Sequence, residues 1–204
     1  MRYPKIREIG EAVVSLFTPA YTSPFPDKGH EPFTGYRGKP VVNEKHCVGC
    51  MTCANVCPPM AITVSDDREK GIRTITRDYG KCIFCGQCQE HCITGKGVML
   101  SDKIYDIAVT DRKEIIEHQE RELLLCRNCN AIITTKEHLY FLHGKLGPKA
   151  FSSILNLNLL NQRLKLEDPG KTDSTVEDGL KRKDMFNILC PNCLREVQLK
   201  TLSG

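Results

Sequence analysis

The sequence predicts an α+β fold built around metal ligands, and three observations lead to that prediction. A block with four cysteines is repeated once, and each copy runs from a cysteine loop into a short apolar stretch. Between the two blocks, the segment IRTIT at 72–76 is rich in β-branched residues, as a strand is. Apolar residues at helical spacing before and after the repeat predict flanking helices.

The composition indicates that packing alone does not hold this fold together. The chain has 204 residues, of which 40% are hydrophobic and 6% aromatic, and it has no Trp. That length suits one or two domains, and that composition predicts a small core. The 12 cysteines offer a second source of stability. Because the first ten residues are charged throughout and have no apolar signal region, we expect metal ligands in place of a secreted disulfide scaffold.

Charge and hydropathy exclude two function classes. The 29 basic and 25 acidic residues give a net charge of +4, without the concentrated basic face that binding to nucleic acid requires. No run of about 18 apolar residues is present, so the chain is not expected to span a membrane.

Three regions differ in composition. Residues 1–40 are expected to form an amphipathic helix within 1–20, with Ile6, Ile9, Val13 and Leu16/Phe17 on one face, followed over 21–40 by an extended linker rich in Pro and Gly. Residues 41–102 contain the cysteine repeat, and residues 103–204 form a C-terminal extension. The first helix suits contact either with a membrane surface or with a neighbouring protein, because its polar face carries both signs of charge.

The repeat carries the most specific signal in the chain. Both copies read C-x2-C-x2-C-x3-C, and their first cysteines, Cys47 and Cys82, are 35 residues apart. Two-residue spacings let three cysteines of one run reach one [4Fe–4S] cluster, while the fourth is directed to the neighbouring cluster. The predicted ligand sets are therefore crossed: Cys47, Cys50, Cys53 and Cys92 for cluster 1, and Cys82, Cys85, Cys88 and Cys57 for cluster 2. Two linked redox centres favour electron transfer over clusters that only stabilise the fold.

Four further cysteines in the extension form two CxxC pairs, Cys126/Cys129 and Cys190/Cys193. Each pair has apolar flanks and is expected to form a hairpin knuckle, so that together they make a closed tetrahedral site for Zn²⁺. Mononuclear iron, disulfides and free thiols remain alternatives. Residues 111–125 are predicted to be a charged helix, 136–166 a helical insertion, and 168–179 a flexible loop.

The segments DYGKCIFCGQCQEHC and EKHCVGCMTCANVCPPMAI resemble the two cluster motifs of the two-cluster ferredoxin subunit of respiratory complex I. The flanking SPFPDKGHEPFTGYRGKPVV and YDIAVTDRKEIIEHQERELL resemble the same subunit, so that the likeness covers residues 1–125. A departure is Ile93, which stands after Cys92 where the family has Pro, whereas Pro58 is kept. The extra cysteine pairs resemble the subunit of the related membrane-bound [NiFe]-hydrogenases and formate hydrogenlyases.

The resemblance implies an electron-transfer subunit in the hydrophilic arm of a membrane-bound oxidoreductase complex, peripheral on the cytoplasmic side of the cell membrane. Its implied partners are a proximal-cluster subunit and a large catalytic subunit, with soluble ferredoxin as a further redox partner. The corresponding subunit of a sulfur reductase or a quinone oxidoreductase is the alternative, and a soluble ferredoxin-like carrier is another. A nucleic-acid-binding sensor is disfavoured by the absence of a basic stripe. No catalytic residue is evident in the chain itself.

Overall fold

The computed structural model describes residues 5–20, 22, 32–103, 107, 109–164 and 180–200. Its helices are α1 (Ile6–Phe17), α2 (Thr52–Asn55), α3 (Gln87–Glu90), α4 (Lys136–Leu146), α5 (Ile154–Arg163) and α6 (Pro191–Lys200). Its strands are β1 (Pro40–Val42), β2 (Ile62–Asp67), β3 (Ile72–Asp78), β4 (Val98–Leu100), β5 (Ile116–Leu125) and β6 (Ile132–Thr135). Turns of 3₁₀ helix span Arg112–Ile115, Gly147–Ser152 and Arg182–Phe186. The predicted α+β class is confirmed.

The strands form two antiparallel sheets, a pair β1-β4 and a four-stranded sheet in the order β2-β3-β5-β6. The strand predicted at 72–76 is confirmed as β3, which pairs with β2 through a turn ending at Gly71, a residue with φ +67°. Tyr79 joins the two sheets, because its hydroxyl lies 2.9 Å from the Pro40 carbonyl oxygen and 2.7 Å from a Glu117 carboxylate oxygen.

The repeat in the sequence is also a repeat in the fold. Helix α3 lies 35 positions after α2. Val42 pairs with Val98, and Arg77, which lies 35 positions after Val42, pairs with Ile62 in the same way. The apolar side chains of Ile62, Ile75 and Val98 form a small core with Cys88. The two cysteine runs are therefore held by two similar halves of one module.

The prediction of a helix over 111–125 is wrong. Only Arg112–Ile115 is helical, and Ile116–Leu125 is β5, whose residues 116–122 pair with β3 and residues 123–125 with β6. Glu117, Gln119 and Arg121 are less exposed than the residues between them, so polar residues lie on both faces of the strand. This hides the period of two that marks a strand. Pairing with β3 supplies partners for backbone groups that would otherwise be left at a sheet edge.

The helical insertion predicted over 136–166 is confirmed by α4 and α5, with a 3₁₀ turn between them. Leu139 and Leu159 from these helices pack with Leu124 of β5 in a second core. Residues 165–166 and the loop predicted at 168–179 lie outside the described residues.

The predicted N-terminal helix is confirmed as α1. Ile6 is 89% exposed, Leu16 80% and Phe17 85%, and none of its residues is buried. Of the linker predicted over 21–40, the structure describes residue 22 and residues 32–40. Among the described residues, no helix has the length and hydropathy needed to cross a membrane.

Candidate metal centres

The eight cysteines of the repeat line two cavities. The four cysteines that line each cavity are the same four that the predicted crossed sets place together. Cavity 1 is lined by Cys47, Cys50, Cys53 and Cys92, and cavity 2 by Cys82, Cys85, Cys88 and Cys57. Including the parts that are open to solvent, cavity 1 measures about 360 Å³ and cavity 2 about 440 Å³. Arg77 lines both cavities and is part of the wall between them.

Residues in the left-handed backbone conformation occur at equivalent positions of the two cysteine loops. Three pairs of residues, each 35 positions apart, have positive φ: Gly49 (68°) and Phe84 (54°), Met51 (66°) and Gly86 (82°), and Met60 (50°) and Gly95 (69°). This conformation costs a non-glycine residue about 1–2 kcal/mol. Both halves therefore use the same curled backbone, although glycine occupies only one position of each pair.

Three consecutive carbonyl groups of the first cysteine loop accept hydrogen bonds from the four-stranded sheet. Arg121 Nε donates to the Cys47 oxygen at 3.0 Å, Thr135 Oγ1 donates to the Val48 oxygen, and Arg73 Nη1 donates to the Gly49 oxygen at 2.9 Å. In a trans peptide the N–H points opposite to the carbonyl, so the N–H groups that follow point away from the sheet. N–H groups so directed are available to donate to sulfur atoms of a cluster.

Close packing against the sheet explains the glycine at position 49. A Cβ added at Gly49 would lie 3.0 Å from Thr135 Cγ2 and 3.1 Å from Arg121 Cγ, whereas one added at Gly95 would meet nothing within 4 Å. Both glycines have nearly the same positive φ, 68° and 69°. Gly95→Ala is therefore a matched control that carries the backbone strain without the contact.

We expect Gly49→Ala to lower the free energy of unfolding by about 1–3 kcal/mol more than Gly95→Ala does, since overpacking adds to the strain. The measurement is urea denaturation of the full chain, purified and unfolded without oxygen. Equal losses in the two variants would contradict the contact as the reason for Gly49.

The chemistry of the thiols in both cavities suits a cationic partner. Burial raises the pKa of Cys53 and Cys82, and it raises the pKa of Cys88 to about 11. Neighbouring thiolates add to each of these shifts. Iron bound in these cavities would remove the penalty, because metal charge stabilises the thiolate form.

Cys92 lies in a cradle of hydrogen-bond donors. Burial opposes its ionisation, but the Thr94 hydroxyl and the N–H groups of Thr94, Gly97 and Val98 outweigh burial and lower the pKa of Cys92. A Cβ at Gly97 would lie 3.0 Å from Cys92 Sγ and 3.3 Å from Cys47 Cα. Glycine at this position lets the backbone approach the sulfur, which suits a ligating thiolate.

The other four cysteines form a third cluster of sulfur atoms. The Sγ atoms of Cys126, Cys129, Cys190 and Cys193 all lie within 4.8 Å of one another. Burial disfavours the Cys126 thiolate, but the N–H groups of Cys129, Cys190 and Asn128 outweigh it and lower the pKa of Cys126 to about 7. A hydrogen bond from Asn128 lowers the pKa of Cys193, but burial and the other three thiols outweigh that bond and raise it to about 12. A cation bound among the four sulfur atoms would favour the thiolate forms over the thiols.

The two CxxC pairs of this third cluster have different local structures. Cys126–Cys129 forms the turn between β5 and β6, closed by the Cys126 N–H donating to the Ala131 oxygen at 2.9 Å, as the predicted knuckle requires. The predicted hairpin at Cys190–Cys193 is wrong, because Pro191 begins helix α6 and the Leu194 N–H donates to the Cys190 oxygen at 2.9 Å. Proline suits the first helical position, so Pro191 favours a helix start over a hairpin.

The side chains that surround the first cysteine run from the sheet were not predicted from the sequence. Arg73, Arg77, Gln119, Arg121 and Thr135 come from β3, β5 and β6, far from Cys47 in the chain. Arg73 and Arg77 occupy inward positions of β3, with Ile75 between them. Arginines at strand spacing beside a cysteine run are the signal that could have identified two of these residues.

Comparison with known proteins identifies the eight-cysteine region. Residues 46–96 match the family model described as a 4Fe-4S dicluster domain. The NADH-quinone oxidoreductase subunit I 2 of Geobacter metallireducens is 30% identical over 131 residues, which cover 60% of this chain and 98% of that protein. Formate hydrogenlyase subunit 6 of Escherichia coli is 36% identical over 95 residues, which cover 47% of this chain and 52% of that protein.

A chain in the structure of the membrane-bound sulfane sulfur reductase, an archaeal respiratory membrane complex, is 29% identical. The match covers 56% of this chain and 61% of that one, with a TM-score of 0.36. The match to the Geobacter protein extends over nearly all of that protein's length, and the resemblance predicted from the cysteine motifs and their flanks is confirmed. This chain therefore belongs to the family of subunit I of the NADH-quinone oxidoreductases, and its cysteine repeat is an iron–sulfur cluster domain.

Proposed function

We propose that this chain is an electron-transfer subunit that holds two [4Fe–4S] clusters within a membrane-bound oxidoreductase complex. The observation that carries the proposal is the pair of adjoining cavities, each lined by four cysteines, with Arg77 in the wall of both. When bound, the clusters supply one-electron redox centres. The chain's own residues hold these centres side by side and shield them from water.

The proposed ligands of cluster 1 are Cys47, Cys50, Cys53 and Cys92, and those of cluster 2 are Cys82, Cys85, Cys88 and Cys57. Support comes from the cavity linings and from the donors that surround Cys92. The loop at 47–49 is held from outside by Arg121, Thr135 and Arg73, and a rigid ligand loop changes shape little when the charge of its centre changes.

For the complex itself, we propose the hydrogenase branch. The match to formate hydrogenlyase subunit 6 and the additional cluster of four cysteines in the extension favour this branch over a quinone or sulfur reductase. The partners would be a proximal-cluster subunit and a large catalytic subunit, on the cytoplasmic side of the cell membrane, with soluble ferredoxin as electron donor or acceptor. The exposed apolar residues Ile6, Leu16 and Phe17 of α1 favour a permanent partner over a free carrier.

At Cys126, Cys129, Cys190 and Cys193 we propose a Zn²⁺ ion with a structural role. Four cysteines and no open position are typical of structural zinc sites. Three of these cysteines are buried, and Leu180, Leu189 and Val197 pack around them. The ion would thus anchor α6 to the turn between β5 and β6.

The test of the cluster proposal is iron and acid-labile sulfide analysis of the anaerobically purified full chain, together with its low-temperature EPR spectrum after reduction. We expect about eight iron and eight sulfide per chain and signals from two magnetically coupled centres. Iron and sulfide contents near zero, or a reduced protein without paramagnetic signals, would overturn the proposal.

The test of the assembly is purification of the chain from its native membranes under mild conditions, followed by identification of what co-elutes. A large subunit with a nickel-ligating cysteine set supports the hydrogenase branch, and a large subunit with an altered set supports a sulfur or quinone enzyme. A stable lone monomer would contradict the membrane complex and favour the soluble carrier.

A further inference from the structure

Two buried arginines lie on the inward face of β3, and among the residues that the structure describes only Arg73 forms an ion pair with a carboxylate. Arg73 is 4% exposed, and its guanidinium binds Asp66 through Nε at 2.7 Å and Nη2 at 2.8 Å. Arg77 is 3% exposed, and across the described ranges of the chain none of the ion pairs includes it. An unpaired buried charge is strongly destabilising unless an anion lies nearby.

The contacts of Arg77 within the protein leave its donors incompletely used. Its Nη1 donates to Gln119 Oε1 at 3.1 Å, a bond to a neutral acceptor. Within the part of the chain that the structure describes, Arg77 Nε and Gln119 Nε2 are buried and have no hydrogen-bond acceptor. The nearby Glu117 interacts with Arg77 through charge alone, and the hydrogen bonds of its carboxylate go to Lys39 and Tyr79.

The position of Arg77 beside the two cysteine cavities indicates which anions could compensate its charge. The residue lines both cysteine cavities. Burial raises the pKa of Cys53, and the charge of Arg77 and a hydrogen bond from its guanidinium oppose that rise. Four thiolates around each cubane leave a net negative charge, so a cluster on either side would compensate the guanidinium.

We propose that the buried charge of Arg77 sets the reduction potentials of both clusters. It raises each potential above the value that the cluster would have beside a neutral side chain. This inference rests on the proposed function. A buried positive charge stabilises the reduced form of a centre more than the oxidised form, because the reduced form carries one more negative charge. The equivalent position in the first half is Val42, so the charge is a single feature shared by the two sites and not a part of the repeat.

The test compares Arg77→Met with Arg77→Lys and Arg68→Met in the full chain, by EPR-monitored redox titration after iron analysis. Arg68 is exposed in the β2–β3 turn, so Arg68→Met removes one positive charge from a solvent-exposed position. We expect Arg77→Met to lower both potentials by at least a tenfold change in the reduction equilibrium, about 59 mV for a one-electron couple. Arg77→Lys is expected to retain most of the effect, and Arg68→Met to leave both potentials unchanged.

Two results with intact clusters would overturn the inference: a shift of neither potential or of only one, or equal shifts in Arg77→Met and Arg68→Met. If Arg77→Met does not retain iron, Arg77→Gln takes its place with the same expected shift. Loss of iron in both neutral variants with retention in Arg77→Lys supports the need for the charge, whereas loss in Arg77→Lys as well overturns it. A wild-type chain without iron would instead contradict the proposed function.

Discussion

Cys57→Ala is expected to remove the iron of cluster 2 and to leave cluster 1, although Cys57 belongs to the first cysteine run. The reason is that Cys57 lines cavity 2 with Cys82, Cys85 and Cys88, while Cys92 lines cavity 1. The single variant should retain about four of eight iron per chain. Iron and sulfide analysis of the anaerobic full chain measures this loss.

Two double variants separate crossed from direct ligation. With crossed ligands, Cys57→Ala and Cys85→Ala damage the same cluster, so their combination should still retain about four iron per chain. Cys57→Ala with Cys50→Ala damages both clusters and should leave almost none. Direct ligation predicts the reverse for the two combinations, so the opposite order of iron contents would contradict the crossed sets.

Cys190→Ala is expected to release the metal of the four-cysteine site and to unfold the C-terminal part of the extension. Structural zinc supplies about 10–16 kcal/mol of apparent binding free energy in small zinc domains. That is comparable to the whole stability of an ordinary domain, about 5–15 kcal/mol. Cys190 also packs with Leu189 and Val197, so the loss extends to the core around them.

The measurements are metal analysis and hydrogen exchange of residues 180–200 in the full chain. We expect one zinc per chain in the wild type, none in Cys190→Ala, and faster exchange in that segment. Asn128→Ala is the matched control, since it removes the 3.2 Å hydrogen bond to Cys193 Sγ but no ligand. It should retain the ion with affinity weakened about 10–100-fold. Unchanged zinc and unchanged exchange in Cys190→Ala would contradict the site, and iron in place of zinc would change the identity of the ion only.

Local patterns in the sequence were sufficient to predict several helices and strands of the fold. Helix α1 and the helical insertion have apolar residues at helical spacing, the strand at 72–76 is rich in β-branched residues, and the structure has each of these elements. The partition of the cysteines into two sets followed from ligand spacing alone and agrees with the two cavity linings. The ligand sets themselves remain a prediction.

Contacts between distant parts of the chain could not be predicted in this way. Strand β5 has polar residues on both faces because its inward side chains meet backbone carbonyls and other charges instead of an apolar core. Arg121 and Thr135 reach a loop 74 and 87 positions earlier in the chain. The helix at Cys190–Cys193 was missed because a CxxC pair with apolar flanks is compatible with both a turn and a helix start.

The hydrogen bonds from the four-stranded sheet to the carbonyl groups of residues 47–49 limit how this ferredoxin module could be reused in a designed protein. Arg73 lies within the cysteine repeat, but Arg121 and Thr135 belong to the β5–β6 hairpin beyond it. A graft that ended at residue 102 would leave the carbonyls of Cys47 and Val48 to solvent and would uncover one edge of β3. Strands β5 and β6 would therefore have to be transplanted with the repeat, and because their turn carries Cys126 and Cys129, the graft would also need Cys190 and Cys193 to complete the proposed four-cysteine site.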